Sequence, residues 1–422
     1  MLKYRRSLHA KIGIINLNVL VFNCGSSSLN YKIFELCDNK DDKVILAGKA
    51  HRIGVIGTES SFIEHKLDGK SQKVTVPLEN HSQAAGLIIK YIREEKNIEI
   101  DMIGHRFVHS GGYFDKSVFL DSKSLKKLRQ CLPFAPIHNP ISLAVIDESI
   151  KAFPQLKQYV AFDSAFHSTI PPCAYTYPLP EKILKKFRFR KYGFHGLSYL
   201  HTMRETARFL QTTPEQLKIV ACHLGTGGSS VAAIKNGRSI DTSMGFSPLT
   251  GLAMSTRCGD IDPMLTIYLM SVYGYRADEM QDVLERKSGL LGVSGFSSDI
   301  RDIINFTSKG EKEQAELALN MYVHRIKKYI GGYVIIMGGI DALAFTDDIG
   351  VTNWLVREKI CSNMNWCDIG LDEETNRKTD SGKICRINKK DSRVNIFSIP
   401  PDEERIIFLE GVKLLKMLKE KN

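Results

Sequence analysis

No apolar run in the chain approaches the ~20 residues of a membrane-spanning helix, so we expect no membrane partner. The nine cysteines include no CxxC pair and no metal-ligand spacing, which favours reduced thiols in a reducing compartment. The first 18 residues contain no acid, which fits a transit peptide, but they have a single serine and no long apolar core. We therefore favour a cytoplasmic protein over an organellar one.

Positive charge exceeds negative charge, with a net charge of +11 and a pI near 9.0. The Lys and Arg residues are scattered and accompany no recognised nucleic-acid motif, so we expect no nucleic-acid partner. The charge fits an enzyme that steers small anions by its field, and equally a set of solvated lysine faces. The 43% of hydrophobic and 25% of charged residues are typical of a soluble globular protein.

The length of 422 residues favours two domains, since single cores stop growing near ~250–300 residues. Residues 18–36, NVLVFNCGSSSLNYKIFEL, alternate on both sides of a Gly/Ser turn and predict a β-hairpin. Residues 219–234, IVACHLGTGGSSVAAI, repeat this design. Helical periodicity is clearest at 316–334 and at the C-terminus. An α/β protein with two similar halves and a cleft between them is expected.

Several short segments could carry chemistry. A Gly/Ser turn offers backbone N–H groups to a phosphate, although a single such turn is also an ordinary tight turn. Arg106 and Asp163 come at the ends of apolar runs, His195 lies in KYGFHGLSY, and residues 241–263 form an irregular stretch that includes Arg257. Three cationic groups with one carboxylate suit phosphoryl transfer, in which negative charge spreads over the transferred group.

A further segment, DALAFTDDIGVTNW, predicts a buried strand followed by a loop. In α/β proteins the loop after such a strand is where ligands bind. This loop opens with Asp347 and Asp348, an unexpected charge for a phosphate loop.

At these residues the chain resembles the acetate kinase family along nearly its whole length. The matching stretches, in order, are NCGSSSLNYKIF, GHRFVHSGG, APIHNP, FDSAFHSTIP, YGFHGLSY, CHLGTGG, DTSMGFSPLTGLAMSTRCGDIDP, KSGLLGVSGFSSDIRD and PDEE. The resemblance implies a duplicated ribonuclease-H-like fold of the actin-like, sugar-kinase type with a central cleft. It also implies a homodimer that uses magnesium (Mg²⁺).

The domain limits that follow are an N-terminal extension over 1–17, a first domain over 18–165 completed by the helix 402–422, and a second domain over 166–401. The resemblance gives roles to these residues: Arg106 and Arg257 bind carboxylate and phosphoryl groups, Asp163 acts as acid or base, and His195 stabilises the transferred phosphoryl group. It further assigns an acetate-methyl pocket of Val108, Ile137, Phe194 and Pro248, magnesium positions at Asn23 and Glu403, and phosphate or nucleotide positions at Asn30, His223, Leu224, Gly225, Thr226, Gly227, Asp299, Ile300, Arg301 and Asp348. A pocket this small would also bind propionate, but less well than acetate, because one methylene changes the binding free energy by only ~1–3 kcal/mol.

Departures from the family pattern cluster on the nucleotide side. Asn30 replaces a lysine, Thr226 replaces an asparagine, and Asp347 and Asp348 begin the segment that replaces AGIGEN. One interpretation is drift with ATP and ADP retained. The other is the diphosphate-using branch, in which acetyl phosphate and orthophosphate give acetate and pyrophosphate. We favour the second, and keep ATP-dependent acetate kinase and a non-catalytic binding protein as alternatives.

Overall fold

The computed structural model describes residues 16–37, 42–55, 57, 59–94, 98–309 and 313–420. Most of the predicted N-terminal extension therefore lies outside the described residues. The chain divides into two compact units, made from the described parts of Met1–Ala165 with Asp402–Asn422, and from Phe166–Pro401. In the described part of the chain, no helix is both long and apolar enough to cross a membrane.

Unit 1 is built on an eight-stranded mixed sheet with the order β5-β4-β3-β2-β1-β6-β8-β7. Its strands are β1 Asn16–Cys24, β2 Ser28–Cys37, β3 Lys43–His51, β4 Phe62–Leu67, β5 Lys70–Thr75, β6 Met102–Phe107, β7 Val118–Phe119 and β8 Lys157–Phe162. Strands β1 to β5 form an antiparallel meander, while β6 is parallel to both β1 and β8.

Helices cover both faces of this sheet. They are α1 His81–Glu94, α2 Ser122–Gln130, α3 His138–Ala152 and the C-terminal helix Glu403–Lys419. The C-terminal helix belongs to unit 1 because its apolar face packs on the sheet: Phe408 stacks on Phe34 with ring centroids 4.8 Å apart. The Tyr159 hydroxyl also donates to the Ile407 carbonyl at 2.8 Å.

Unit 2 is built on a six-stranded sheet with the order β11-β10-β9-β12-β14-β13. Its strands are β9 Lys218–Gly225, β10 Gly228–Lys235, β11 Arg238–Thr242, β12 Ala342–Thr346, β13 Cys385–Arg386 and β14 Asn395–Ile399. Its helices are α4 Pro172–Tyr175, α5 Glu181–Phe187, α6 Gly196–Phe209, α7 Pro263–Tyr273, α8 Ala277–Arg286, α9 Gly289–Ser294, α10 Ile300–Lys309, α11 Glu313–Met337, α12 Asp347–Thr352, α13 Trp354–Cys361 and α14 Glu373–Arg377. Short 3₁₀ helices lie at Leu132–Phe134, Ser164–Thr169, Pro214–Gln216 and Asn365–Cys367.

The two sheets repeat one topology. In unit 1, β3-β2-β1 is an antiparallel meander followed by the parallel strands β6 and β8. In unit 2, β11-β10-β9 is an antiparallel meander followed by the parallel strands β12 and β14. Each meander contains one of the two predicted hairpins, β1–β2 and β9–β10. This repeat confirms the predicted duplicated α/β fold class.

The segment after β12 differs from the prediction. Strand β12 is fully buried as expected, but the next residues form helix α12, which begins at Asp347 with no intervening loop. Asp347 has a φ of 66°, in the left-handed region that aspartate tolerates better than most residues. The prediction of a loop at Asp347–Asp348 was wrong because pattern alone does not show that the chain turns within one residue.

Candidate active site

Parallel pairing of β6 and β8 brings Arg106 and Asp163 together in unit 1. Arg106 pairs with Ala161 and Phe107 with Phe162, so Asp163 follows directly beyond the end of β8. Arg106 Nη2 and Nε donate to the same carboxylate oxygen, Asp163 Oδ2, at 2.6 and 3.0 Å. Asp163 is fully buried, and such a buried carboxylate requires a charged partner.

The second oxygen of Asp163 is available for chemistry. Asp163 Oδ1 is buried and accepts no hydrogen bond from the described residues. A buried acceptor without a donor is costly unless a ligand supplies one. Burial lowers the pKa of Arg106, but the negative charges of Asp163 and Glu403 outweigh it and hold that pKa above its ordinary value. Arg106 therefore stays charged beside Asp163, and Asp163 Oδ1 is the one defined atom of the pair that can accept a hydrogen bond or a proton from a ligand.

Acidic residues at the start of the C-terminal helix surround Asn23. The Asn23 amide donates to Glu403 Oε2 at 3.0 Å and to Glu404 Oε1 at 2.8 Å, and its oxygen accepts from Arg106 Nη1 at 3.1 Å. Lys32 forms ion pairs with Asp402 at 2.7 Å and with Glu404 at 3.2 Å. Burial lowers the pKa of Lys32, but Glu404 and Asp402 raise it overall.

This donor set fits magnesium bound together with a substrate. No group of three or more His, Cys, Asp or Glu side chains in the described ranges is arranged to hold a metal by itself. Mg²⁺ usually keeps several waters and is held by one or two carboxylates plus substrate phosphates. When all are ionised, the two cations Lys32 and Arg106 face four carboxylates, those of Asp163, Asp402, Glu403 and Glu404, which leaves a local charge of −2.

In unit 2 the turn of the β9–β10 hairpin is held by helix α12. Asp348 Oδ1 accepts from the Thr226 backbone N–H at 2.9 Å, and Asp348 Oδ2 accepts from the Thr226 hydroxyl at 2.8 Å. Ser255 donates to the Thr226 carbonyl at 2.7 Å. An ideal Cβ on Gly225 would lie 2.0 Å from Asp347 Oδ2. Carboxylates thus occupy groups that a Gly-rich hairpin would otherwise present to a phosphate.

Two imidazole rings lie beside this hairpin. His195 and His223 stack with ring centroids 4.0 Å apart and 25° between planes. Both nitrogens of His223 are engaged, Nδ1 with Ser198 Oγ at 2.9 Å and Nε2 with Asp347 Oδ2 at 3.0 Å. His195 precedes helix α6 with a φ of 59°, and its Nδ1 lies 2.8 Å from Ser230 Oγ. A histidine in this strained conformation beside a phosphate hairpin is typical of a functional site.

Arg257 is largely desolvated and has no carboxylate partner among the described side chains. Its Nη1 contacts the Pro248 carbonyl at 3.5 Å and the Met254 sulfur at 3.7 Å. Burial lowers the pKa of Arg257 below its ordinary value. The negative charge of Glu285 raises this pKa, but by less than burial lowers it. An ideal Cβ on Gly228 would lie 3.1 Å from Arg257 Nη1 and 3.7 Å from His195 Nε2. The guanidinium and the imidazole therefore both lie against Gly228, where their N–H groups could bind one anion together.

Comparison with known proteins decides the family. The model described as "Acetokinase family" matches residues 18–409. The acetate kinase of Caldicellulosiruptor saccharolyticus is 41% identical over 406 residues, which covers 95% of this chain and 100% of that protein. The crystal structure of acetate kinase from Entamoeba histolytica is 44% identical with a TM-score of 0.85, covering 94% of this chain and 100% of that one. A propionate kinase from Francisella tularensis is 33% identical with a TM-score of 0.84, covering 93% and 98%.

The chain belongs to the acetokinase family. It is therefore a phosphotransferase with a carboxyl group as acceptor, as the sequence resemblance predicted. The actin-like, sugar-kinase type fold is confirmed by the same structural matches.

The residues predicted for the nucleotide side of this acetokinase differ in how far they are exposed in the structure. Leu224 and Ile300 are buried in the hydrophobic core of unit 2. Gly227 is exposed at the hairpin turn, and Asn30 lies opposite Asn23 in the unit 1 hairpin. The bond to Asp299 raises the pKa of Arg301, and Asp348 adds to this effect, so the two predicted adenosine-side residues share their neighbourhood with Asp348.

The four residues predicted for the methyl pocket belong to both units, and each is described within its own unit. Val108 is buried and Ile137 is 45% exposed in unit 1, while Phe194 is buried in unit 2. Pro248 is partly buried beside Arg257. An isoleucine exposed to this degree can contact a small apolar group, and the pocket itself stays a prediction.

Sequence reasoning missed several supporting residues. Glu404 and Lys32 complete the network around Asn23. Ser230 and Tyr199 hold His195, because Ser230 Oγ lies 2.5 Å from the Tyr199 hydroxyl. All four residues lie within quoted segments, Glu404 in PDEE, Tyr199 in YGFHGLSY, Lys32 in NCGSSSLNYKIF and Ser230 in IVACHLGTGGSSVAAI. Their contacts join distant segments of the chain, which no local pattern reveals.

Proposed function

We propose that this acetokinase transfers a phosphoryl group between acetyl phosphate and orthophosphate, forming acetate and pyrophosphate. The bond between phosphorus and the acetyl oxygen breaks, and a bond forms between phosphorus and an orthophosphate oxygen. Acetyl phosphate dianion and HPO₄²⁻ give acetate and HP₂O₇³⁻, so charge and protons balance without a further reactant. The ATP and ADP version of the same transfer is the rival function.

The observation that carries this proposal is the pair of hydrogen bonds between Asp348 and Thr226. Both oxygens of the Asp348 carboxylate are bonded to Thr226, and Asp347 lies against Gly225. A nucleoside diphosphate would bring about three negative charges to a helix start that already carries two acids, and repulsion between like charges grows as water is excluded. Orthophosphate is smaller and needs only the N–H donors of Arg257 and His195.

The direct test is an acceptor assay. Purified full-length protein receives acetyl phosphate and Mg²⁺ with either orthophosphate or ADP, and pyrophosphate and ATP are measured. We expect pyrophosphate from the first mixture and little ATP from the second. Efficient ATP formation with no pyrophosphate would establish the rival function.

Each of the four candidate catalytic residues has its own role in the proposed phosphoryl transfer. Arg106 binds the acetyl carboxylate end, and the unbonded oxygen of Asp163 receives a proton or a hydrogen bond from the reacting groups. Arg257 and His195 stabilise the charge that spreads over the transferred phosphoryl group. The support for these roles is the pairing of Arg106 with Asp163 and the convergence of Arg257 and His195 above Gly228.

Magnesium is the expected cofactor. Asn23 and Glu403 would hold it together with substrate phosphate oxygens, and it would supply neutralising charge to the phosphoryl groups. The support is the local charge of −2 around Asn23 and the ability of a carboxylate and an amide oxygen to serve as hard ligands.

Substituting Asp348 by glycine should improve binding of ADP. Removing the carboxylate frees the Thr226 N–H and removes one negative charge, so we expect an ADP Kd about tenfold lower, measured by isothermal titration calorimetry. Asp348→Asn is the matched control, since it keeps the shape and can still accept from Thr226. If Asp348→Asn by itself lowers the ADP Kd, the barrier is the negative charge of Asp348. Tight ADP binding by the parent protein would contradict the proposal.

We also propose that the enzyme is a homodimer. Helix α7 is apolar around its whole circumference, yet none of its residues is buried in the described chain. Its exposed side chains include Met264 at 59%, Leu265 at 55%, Ile267 at 53% and Val272 at 58%. A helix that is hydrophobic all round is expected to be covered, and a second copy of this chain would cover it.

Met264→Glu should weaken the proposed dimer. A buried charge at such a contact is costly, so we expect the parent to sediment as a dimer and the variant as a monomer at about 1 μM. Val55→Glu is the control, because Val55 is 43% exposed at a turn in unit 1. A monomeric parent, or an equal effect of both variants, would refute this assignment.

A further inference from the structure

A short hydrogen-bond chain connects a buried tyrosine to the candidate phosphoryl-binding histidine. The Tyr199 hydroxyl lies 2.5 Å from Ser230 Oγ, and Ser230 Oγ lies 2.8 Å from His195 Nδ1. Tyr199 and Ser230 are both fully buried. The two residues therefore connect to the imidazole without solvent, and their hydroxyl protons must be shared within this chain.

The direction of the chain follows from the chemistry of its members. Burial raises the pKa of Tyr199 well above its ordinary value, so the phenol keeps its proton. Either oxygen could donate in the Tyr199–Ser230 bond, and we assign the donor role to Tyr199 because a phenol is a stronger donor than an aliphatic hydroxyl. Ser230 in turn has its own proton to donate to His195 Nδ1.

The rest of the imidazole environment fixes the plane of the ring. His195 stacks on His223, whose nitrogens are held by Ser198 and Asp347. With the plane fixed, the remaining variable is the nitrogen that carries the hydrogen. A donor at Nδ1 leaves Nε2 protonated, and Nε2 faces the space above Gly228 that Arg257 also borders.

We propose that Tyr199 is a positioning residue that acts through Ser230 to keep the hydrogen of His195 on Nε2, so that the imidazole donates to the transferred phosphoryl group. An imidazole in the other tautomer would present a lone pair to phosphoryl oxygens and repel them. This proposal rests on the role of His195 given above and does not depend on the identity of the phosphoryl acceptor.

Tyr199→Phe tests the proposal with little disturbance of packing. Phenylalanine keeps the ring contacts of Tyr199 with Phe166 and His167, whose centroids lie 6.4 and 5.7 Å away. We expect kcat to fall about tenfold, while the KM for acetyl phosphate changes less than about twofold. Either acceptor that supports turnover in the parent serves for this comparison.

Tyr322 of the same protein supplies a matched control. Tyr322 is a second buried tyrosine whose hydroxyl lies 3.1 Å from Ser229, the residue next to Ser230. Tyr322→Phe removes an equivalent Tyr–Ser bond that does not lead to His195, and it should leave kcat unchanged. An equal loss in both variants would show a general effect of buried hydroxyl removal and would overturn the proposal.

Two further measurements separate positioning from packing. In a double-mutant cycle, Tyr199→Phe should add little to Ser230→Ala, because both interrupt one chain, whereas additive losses would contradict it. Nitrogen NMR of ¹⁵N-histidine-labelled protein should show His195 protonated at Nε2 in the parent and a mixed tautomer in Tyr199→Phe. An unchanged tautomer would refute the proposal even if the parent transferred phosphoryl to neither acceptor.

Discussion

Replacing Arg257 by methionine is expected to lower kcat by about 10²- to 10³-fold without loss of stability. Arg257 is desolvated but has no carboxylate partner in the described chain, so no opposing charge is left unpaired by the change. Methionine has a similar volume and removes only the cation. Steady-state kinetics with acetyl phosphate and urea unfolding together measure the two effects.

Arg238→Met is the control for this prediction. Arg238 is exposed in strand β11 of the same unit, and its replacement removes the same charge from the protein surface. We expect near-parental kcat from this variant. A stability loss in Arg257→Met comparable to that of a broken buried ion pair would contradict the view that Arg257 is held ready for an anionic ligand.

Replacing Arg106 by methionine should have two large effects at once. It removes a cation that we propose binds the substrate, and it leaves Asp163 buried without a partner, which typically costs ~3–5 kcal/mol of stability. The loss should be local to unit 1, and hydrogen exchange of the amides in β6 and β8 would detect it there. A local readout is needed because two-unit proteins rarely unfold in one step.

A second substitution separates the two effects of Arg106→Met. Adding Asp163→Asn removes the unpaired charge, so the double variant should recover much of the lost protection in β6 and β8. Its activity should stay as low as that of the single variant. If Arg106→Met were as stable as the parent, the Arg106–Asp163 pair would not be the buried, ionised pair described above.

The sequence predicted the features that local pattern controls. The two hairpins, the buried strand β12 and the long helix α11 follow from alternation, from apolar runs and from helical periodicity. Arg106 and Asp163 were placed at strand ends correctly, because parallel neighbours in a sheet bring their carboxyl ends to one edge. The family resemblance then supplied their roles.

Other features depend on contacts between distant segments. The orientation of Asp348 toward Thr226 requires the chain to turn sharply at Asp347, and no sequence pattern shows that left-handed residue. The pairing of Lys32 with Glu404 joins the second strand to the last helix. Side-chain direction at such positions is set by tertiary packing. The family resemblance predicted that Asp347 and Asp348 lie on the nucleotide side, and the structure shows which donors these two acids engage.

The most direct measurement of the central claim is a competition in one tube. The full-length protein is given acetyl phosphate, Mg²⁺, and equal concentrations of orthophosphate and ADP, and the products are followed by phosphorus NMR. The occupied hairpin predicts that pyrophosphate accumulates and that ATP stays near background. ATP as the main product would show instead that ADP is the acceptor and that the enzyme is a nucleotide-dependent acetate kinase.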